Sequence, residues 1–375
     1  MKFTISRNSL LTTLNSVSKG LSSKTPMPSL TGIYVEAEES KLIFTTTNRE
    51  LSIQVVMPVS ENLEIEETGS CLIPGKYFVE IIKKIEDETI TVAIFDATAI
   101  KIITERSQFT LNALEKDVFP KLTFEGEGEP ILFTSQNLKT IIKQTSFSAS
   151  TSEQRLVLTG VNFEINKDEL FITSTDSFRL SRKHTKLDGT YDKKKINIPS
   201  KSIEEFNKIL EDNQEVVELY LINNKALFKY QNVSFITRLI EGTYPDVSSL
   251  FPKNSLVDLK FNKNELIAAI DRAALLNSND NLNLVKIQIS PNKKVKILST
   301  STEIGNVEED LYPLMISETL QLQVAFSAKY LLEALKAFDS NEITIHFTGE
   351  IKPFIIKSDE DSELTQLILP ARIFN

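Results

Sequence analysis

Apolar positions along this chain keep two rhythms. In residues 33–57 the runs IYVEA, KLIFTTT and LSIQVVM are short, rich in β-branched and aromatic residues and partly alternating, and ITVAIF, AIKIIT and FTLNAL are alike in residues 90–114. Period two predicts strands with one buried face. Elsewhere the spacing widens to three and four. Leu10, Leu11, Leu14 and Val17 form one stripe, and Phe78, Ile81, Ile82 and Ile85 another, which predicts amphipathic helices over residues 6–19 and 74–85. Each has a single apolar stripe, so each is expected to pack on a sheet and leave its other face in water.

The whole pattern returns twice. IPGKYFVEIIKKI at residues 73–85 recurs as IPSKSIEEFNKIL at 198–210 and FSAKYLLEALKAF at 326–338, with spacings of 125 and 128 residues. A Lys holds the same offset in each copy (Lys76, Lys201, Lys329). The opening strand-to-helix segment also repeats, as FTISRNSLLTTL from Phe3, FTSQNLKTIIKQ from Phe133 and FNKNELIAAIDR from Phe261. Leu30-Thr31-Gly32 returns as Leu158-Thr159-Gly160, and FTLNALEKDVFP from Phe109 as FITRLIEGTYP from Phe235. Thr47-Asn48-Arg49 and Thr175-Asp176-Ser177 are the matching polar turns. So long a period marks repeated domains rather than solenoid units. The expected architecture is α+β, three like domains spanning residues 1–127, 128–254 and 255–375, each with two helices on antiparallel sheets. Further helices are expected at 135–145, 199–210, 262–273 and 327–338, with Ser6, Ser135 and Asn262 as N-caps.

Charge sharpens this picture. The chain of 375 residues has a net charge of −9, which taken alone argues against a partner made of phosphates. The six helical segments nevertheless hold thirteen Lys/Arg against six Asp/Glu, leaving the remainder of the chain at −16. Helices with solvated, lysine-rich faces are common, but equivalent helices in equivalent domains point to equivalent places, and around an axis their basic faces would converge. The one cysteine, Cys71, fits a reducing cytosol and reads as a small buried hydrophobe. The polar N-terminus and the lack of a long apolar run suggest neither signal peptide nor membrane span.

The residues offer little to catalysis. His184 and His346 stand in unrelated contexts, Gly75-Lys76 lacks a glycine-rich phosphate loop, and the acidic clusters at residues 36–39 and 359–361 read as solvated loops. No catalytic residue, metal ligand or cofactor is expected. These features leave open whether the basic helix faces converge on an axis or belong to a three-domain adaptor, with an enzyme disfavoured.

Five segments then narrow the choice: MKFTISRNSLL at the N-terminus, SFSASTSEQRLVLTGVNFEI from Ser146, STDSFRLSRK from Ser174, EGTYPDVSSLFP from Glu241 and LILPARIFN at the C-terminus. Together they resemble the bacterial DNA polymerase sliding clamps, the β subunits of the replicative polymerase, in order and over the whole chain. The resemblance implies a cytoplasmic, head-to-tail homodimeric ring lined by helices. Its partners would be double-stranded DNA without sequence preference, the polymerase catalytic subunit, the clamp loader and other proteins with a clamp-binding motif. It places DNA-binding positions at Lys24, Lys76, Gln154, Arg155 and Lys201; helix face and charge add Lys139, Lys143, Lys329 and Lys336. It further implies a partner-peptide pocket of Leu158, Thr175, Phe178, Arg179, Leu180, Pro245, Leu250, Tyr330, Pro353, Leu367, Ile368, Leu369, Pro370, Ala371 and Arg372, and a dimer contact pairing Phe109 and Leu111 with Leu275 and Leu276. Ser248-Ser249, Ala371 and the extension through Asn375 depart from the family pattern, which leaves the partner motif open.

Overall fold

The computed structural model describes the chain except for residues 23, 96–97, 278–282, 302, 319 and 372–375, and the side chain of residue 277. Six α-helices stand where the stripes put them: α1 (Arg7–Val17), α2 (Gly75–Lys84), α3 (Ser135–Thr145), α4 (Ser200–Asn207), α5 (Lys263–Ala274) and α6 (Ala328–Lys336). Their apolar stripes are the buried ones. Leu10, Leu14 and Val17 of α1, Phe78 and Ile82 of α2, and Leu331 and Leu335 of α6 are all fully enclosed, and each such side chain contributes about 1.5–3 kcal/mol by leaving water.

The caps hold at two of the three foreseen positions. Ser6 accepts from the Ser9 amide, and Asn262 from the amides of Asn264 and Glu265. Ser135 is instead the first helical residue. Thr134 accepts from the Asn137 amide at 3.2 Å, and the Ser135 hydroxyl donates to the Glu211 carbonyl at 2.6 Å. Sequence alone shows two adjacent hydroxyl residues there; which becomes the cap depends on where the preceding strand ends.

The chain forms two compact units, one of residues 1–139 and 204–239, the other of residues 140–203 and 240–375. The first holds a five-stranded sheet with Gln108–Asn112 at one edge and an eight-stranded sheet. In the eight-stranded sheet Leu51–Pro58 pairs antiparallel with Val233–Arg238, bringing Ser52 opposite Ile236. The second unit holds a seven-stranded sheet, in which Arg179–Pro199 pairs with Leu364–Ile368 and Leu180 lies opposite Leu367. It also holds a four-stranded sheet edged by Gly305–Leu311. Cys71 lies in the strand Gly69–Pro74, buried, and burial pushes its thiol up to about 12, so it stays a protonated packing group. Among the described residues, no helix is long and apolar enough to cross a membrane.

Candidate functional site

Two features stand out, and the first is electrostatic. Lys76, Lys201 and Lys329 are each the second residue of their helix, all three are exposed, and none of these helices has an acidic residue in its first turn. A cation there opposes the helix dipole, which prefers negative charge at the N-terminus. The placement recurs at three equivalent positions, and helix-start amides and an ammonium group are both groups that attract an anion. Lys336, Lys24, Gln154 and Arg155 are also exposed, Lys24 in the loop after α1 and the last two in the 3-10 segment Glu153–Thr159.

Lys139 and Lys143 are differently employed. The Lys139 ammonium donates to the carbonyls of Asn207 (3.3 Å) and Leu210 (2.5 Å), closing the end of α4. Arg7 does this for α2 through the Lys83 carbonyl at 3.1 Å, and Lys263 for α6 through the Phe338 carbonyl at 2.6 Å. A basic residue of each first helix thus satisfies the orphaned carbonyls of its partner. Lys143 pairs with Asp339 at 2.6 Å. Part of the positive charge counted along the helices is therefore structural, which spacing alone cannot reveal.

The second feature is a cavity of about 260 Å³ in the second unit. It starts at the turn joining the two long strands. Thr175 Oγ1 donates to the Arg179 carbonyl at 2.5 Å, and Asp176 Oδ1 accepts from the amides of Phe178 and Arg179 at 2.9 and 3.0 Å. Ser177 takes a left-handed φ of 78°. This tight Asx-type turn throws Phe178 outward, leaving it 60% exposed, and turns Arg179 inward to 8% exposure. The Arg179 guanidinium bonds Asp176 Oδ2 at 3.0 Å, Glu333 of α6, and the Phe147 carbonyl at 2.6 Å, with the Tyr330 ring 4.5 Å away. The turn is thereby fastened to α6.

Leu158, Leu180, Val247 and Leu367 form the buried floor of the cavity; Thr175, Arg179, Pro245 and Pro353 line its sides; Phe178, Leu250 and Leu369 stand exposed at its mouth. The Leu369 amide donates to the Phe178 carbonyl at 2.9 Å, which holds two of these three together. Large apolar groups left in water around a concave apolar floor mark a binding site. Arg155, Ser177, Asp246 and Val247 also line the cavity. Arg155 was foreseen only as a DNA contact, and the other three were not foreseen. Val247 and Asp246 follow Pro245 directly, so that proline was the available signal.

Four foreseen pocket residues do not line the cavity. Ile368 alternates to the opposite face of its strand and sits in the core at 1% exposure, and Tyr330 packs on that core and covers Arg179. Pro370 lies beyond the strand, and Ala371 donates its amide to the Ala325 carbonyl at 2.7 Å. Arg372 and residues 373–375 lie outside the described residues. Because Leu367 and Ile368 are core, removing the tail from Leu367 onward would damage the fold as well as the groove.

Of the foreseen dimer residues, Phe109 is 37% exposed and Leu111 half-buried on the edge strand Gln108–Asn112. Leu275 is 67% exposed and Leu276 half-buried just past α5. Among the described residues no group of three or more His, Cys, Asp or Glu is placed to hold a metal ion. His184 pairs with Glu169, and His346 Nδ1 lies 2.8 Å from Asp258.

Three domain models of the DNA polymerase III beta subunit match in succession: the N-terminal domain over residues 1–123, the central domain over 133–246 and the C-terminal domain over 248–372. The chain belongs to the DNA polymerase III beta subunit family. It is 39% identical to the beta sliding clamp of Staphylococcus epidermidis and 40% identical to that of Staphylococcus aureus, each over 378 aligned residues that cover both chains completely. The crystal structure of the DNA polymerase sliding clamp from Bacillus subtilis superposes with a TM-score of 0.94 at 38% identity, again covering both chains completely. The beta subunit from Streptococcus pyogenes does so at 0.93 and 32%. The chain is therefore a non-catalytic sliding clamp, an accessory subunit that tethers the polymerase for processive synthesis.

Proposed function

We propose that two copies of this chain, each of three domains spanning residues 1–127, 128–254 and 255–375, close head to tail into a ring in the cytoplasm, with duplex DNA threaded through it. The observation that carries this is the threefold lysine at the second position of α2, α4 and α6. Lys24, Lys76, Lys201, Lys329 and Lys336, with Gln154 and Arg155, contact phosphates directly or through water. Lys139 and Lys143, already engaged, contribute field rather than contact. Such contacts carry no sequence information and exchange easily, which suits a protein that must slide. Retention comes from topology rather than affinity.

The decisive experiment is retention on DNA circles. Loaded by the clamp loader onto nicked circular DNA, the protein stays bound; once the circle is cut, it runs off the ends. Persistence on linear DNA with free ends would mean ordinary site binding. Changing Lys76, Lys201 and Lys329 together to Glu is expected to lower loading about tenfold or more and to flatten its salt dependence. Loading equal to wild type would remove these lysines from the DNA surface.

Closure needs an interface. We assign it to Phe109 and Leu111 of one protomer against Leu275 and Leu276 of the other; the support is a strand at the edge of its sheet with an exposed Phe, and an exposed Leu at a helix end. Leu275→Asp is expected to convert the dimer to monomer by sedimentation, because a desolvated carboxylate without a partner costs several kcal/mol at each contact. A dimer of undiminished affinity would place the interface elsewhere.

The cavity around Phe178 and Leu369 is read as the groove for the linear motif by which the polymerase catalytic subunit, the clamp loader and other clamp-binding proteins attach. An extended peptide can place apolar side chains on the Leu180–Leu367 floor while its backbone follows the strand end.

A further inference from the structure

The turn that presents Phe178 has a twin in the first unit. Thr47 Oγ1 donates to the Leu51 carbonyl at 3.0 Å, Asn48 Oδ1 accepts from the amides of Glu50 and Leu51 at 3.0 and 2.9 Å, and Arg49 takes a left-handed φ of 77°. Thr175, Asp176 and Ser177 make the same bonds with a φ of 78°. The register continues into the sheet. Ser52 faces Ile236 as Leu180 faces Leu367, and the Arg238 amide donates to the Glu50 carbonyl at 3.0 Å as the Leu369 amide does to that of Phe178.

This second frame also bounds a cleft, of about 750 Å³. Its far wall is the segment 120–127, anchored where Phe124 packs on Leu227 and Ile236. The backbone scaffold is that of the apolar groove, and Ile236 keeps the apolar place of Leu367, but the other side chains on the frame are polar. Glu50 stands for Phe178, Ser52 for Leu180, Arg49 for Ser177 and Arg238 for Leu369. The charges are sorted by wall. Arg49, Lys225 and Arg238 rise from the sheet ends, with Glu50 among them, while Glu125 and Glu127 lie on the segment opposite, with Lys121. Among the described residues, none of these seven makes an ion pair. The Arg49 guanidinium donates to Met27 Sδ at 2.7 Å, but a sulfur does not neutralise it; two arginines and a lysine on one wall of a concave site thus lack a carboxylate partner, and an arginine fork fits a carboxylate bidentately.

We propose that this cleft is a second docking groove, one that takes an extended peptide segment bearing carboxylates, its acidic side chains on Arg49, Lys225 and Arg238. The acidic residues of segment 120–127 compete weakly for the same cations, which makes binding dependent on salt and selective for segments more acidic than the chain's own wall.

The test uses the full chain and a short fluorescent peptide of alternating Leu and Glu, read by anisotropy. Saturable binding is expected, weakened about tenfold or more by Arg49→Glu with Arg238→Glu and unchanged by Phe178→Ala, which empties only the apolar groove. Both arginines are exposed, and an unaltered melting temperature of the double variant shows that its fold is kept. Absence of saturable binding overturns the proposal. So does a loss that follows Phe178→Ala instead of the arginines, and so does equal displacement by a single-stranded oligonucleotide, which would reassign the cleft to nucleic acid.

Discussion

Phe178→Ala combined with Leu369→Ala is expected to lower the affinity for a peptide carrying the polymerase's clamp-binding motif about 100-fold or more. The two side chains stand at the mouth of the cavity, 60% and 37% exposed, tied to one another by the bond from the Leu369 amide to the Phe178 carbonyl. An aromatic or large aliphatic group that becomes covered on binding contributes about 2 kcal/mol or more when it lies at the centre of an interface, and 2.7 kcal/mol corresponds to roughly 100-fold. Because neither residue fills the core, dimer mass and melting temperature should stay at wild-type values. Anisotropy with the labelled peptide and sedimentation of the same samples decide the matter. Peptide affinity within threefold of wild type would show that the motif binds elsewhere.

Arg179→Ala should act on the fold first and on binding second. Its guanidinium is nearly enclosed and joins three elements: the turn at Asp176, the segment of the Phe147 carbonyl, and α6 through Glu333 and the ring of Tyr330. Truncation leaves Asp176, at 14% side-chain exposure, with its two backbone hydrogen bonds but without its ion-pair partner. A half-broken, mostly buried ion pair costs about 3 kcal/mol, toward the low end for such pairs because Glu333 is partly in water. Melting temperature should fall by on the order of 5–10 °C. Arg179→Lys should recover less than half of that, since an ammonium cannot replace a planar fork with three partners. The turn that presents Phe178 loses its anchor in the alanine variant, so peptide affinity should fall too, though no peptide need touch residue 179. Melting within a degree of wild type would show that Asp176 and Glu333 find water at no cost.

These two sites show how differently residues are legible. Phe178 could be singled out only because STDSFRLSRK resembles the sliding clamps; the polar turn by itself reads as architecture. Arg179 could be named but not understood, since its partners at positions 147, 330 and 333 are distant in sequence. The neighbours Ile368 and Leu369 look alike in LILP, yet one is core and the other rim, because successive side chains on a strand take opposite faces. The Lys residues were misread in one respect. Lys139, like Lys76, is a lysine on an amphipathic helix, but its ammonium is spent on the end of α4.

Periodic apolar spacing by itself determined the six helices, the strands between them and their threefold recurrence, because burying one face is a local demand that each segment states in its own residues. Tertiary structure alone decided which lysines stay exposed and which close a helix end, which apolar side chains are left at a cavity mouth, and that one backbone frame carries an apolar groove in one place and a charged cleft in another. Those outcomes depend on strand register and on partners brought together from far along the chain, and neither is written in any single stretch of it.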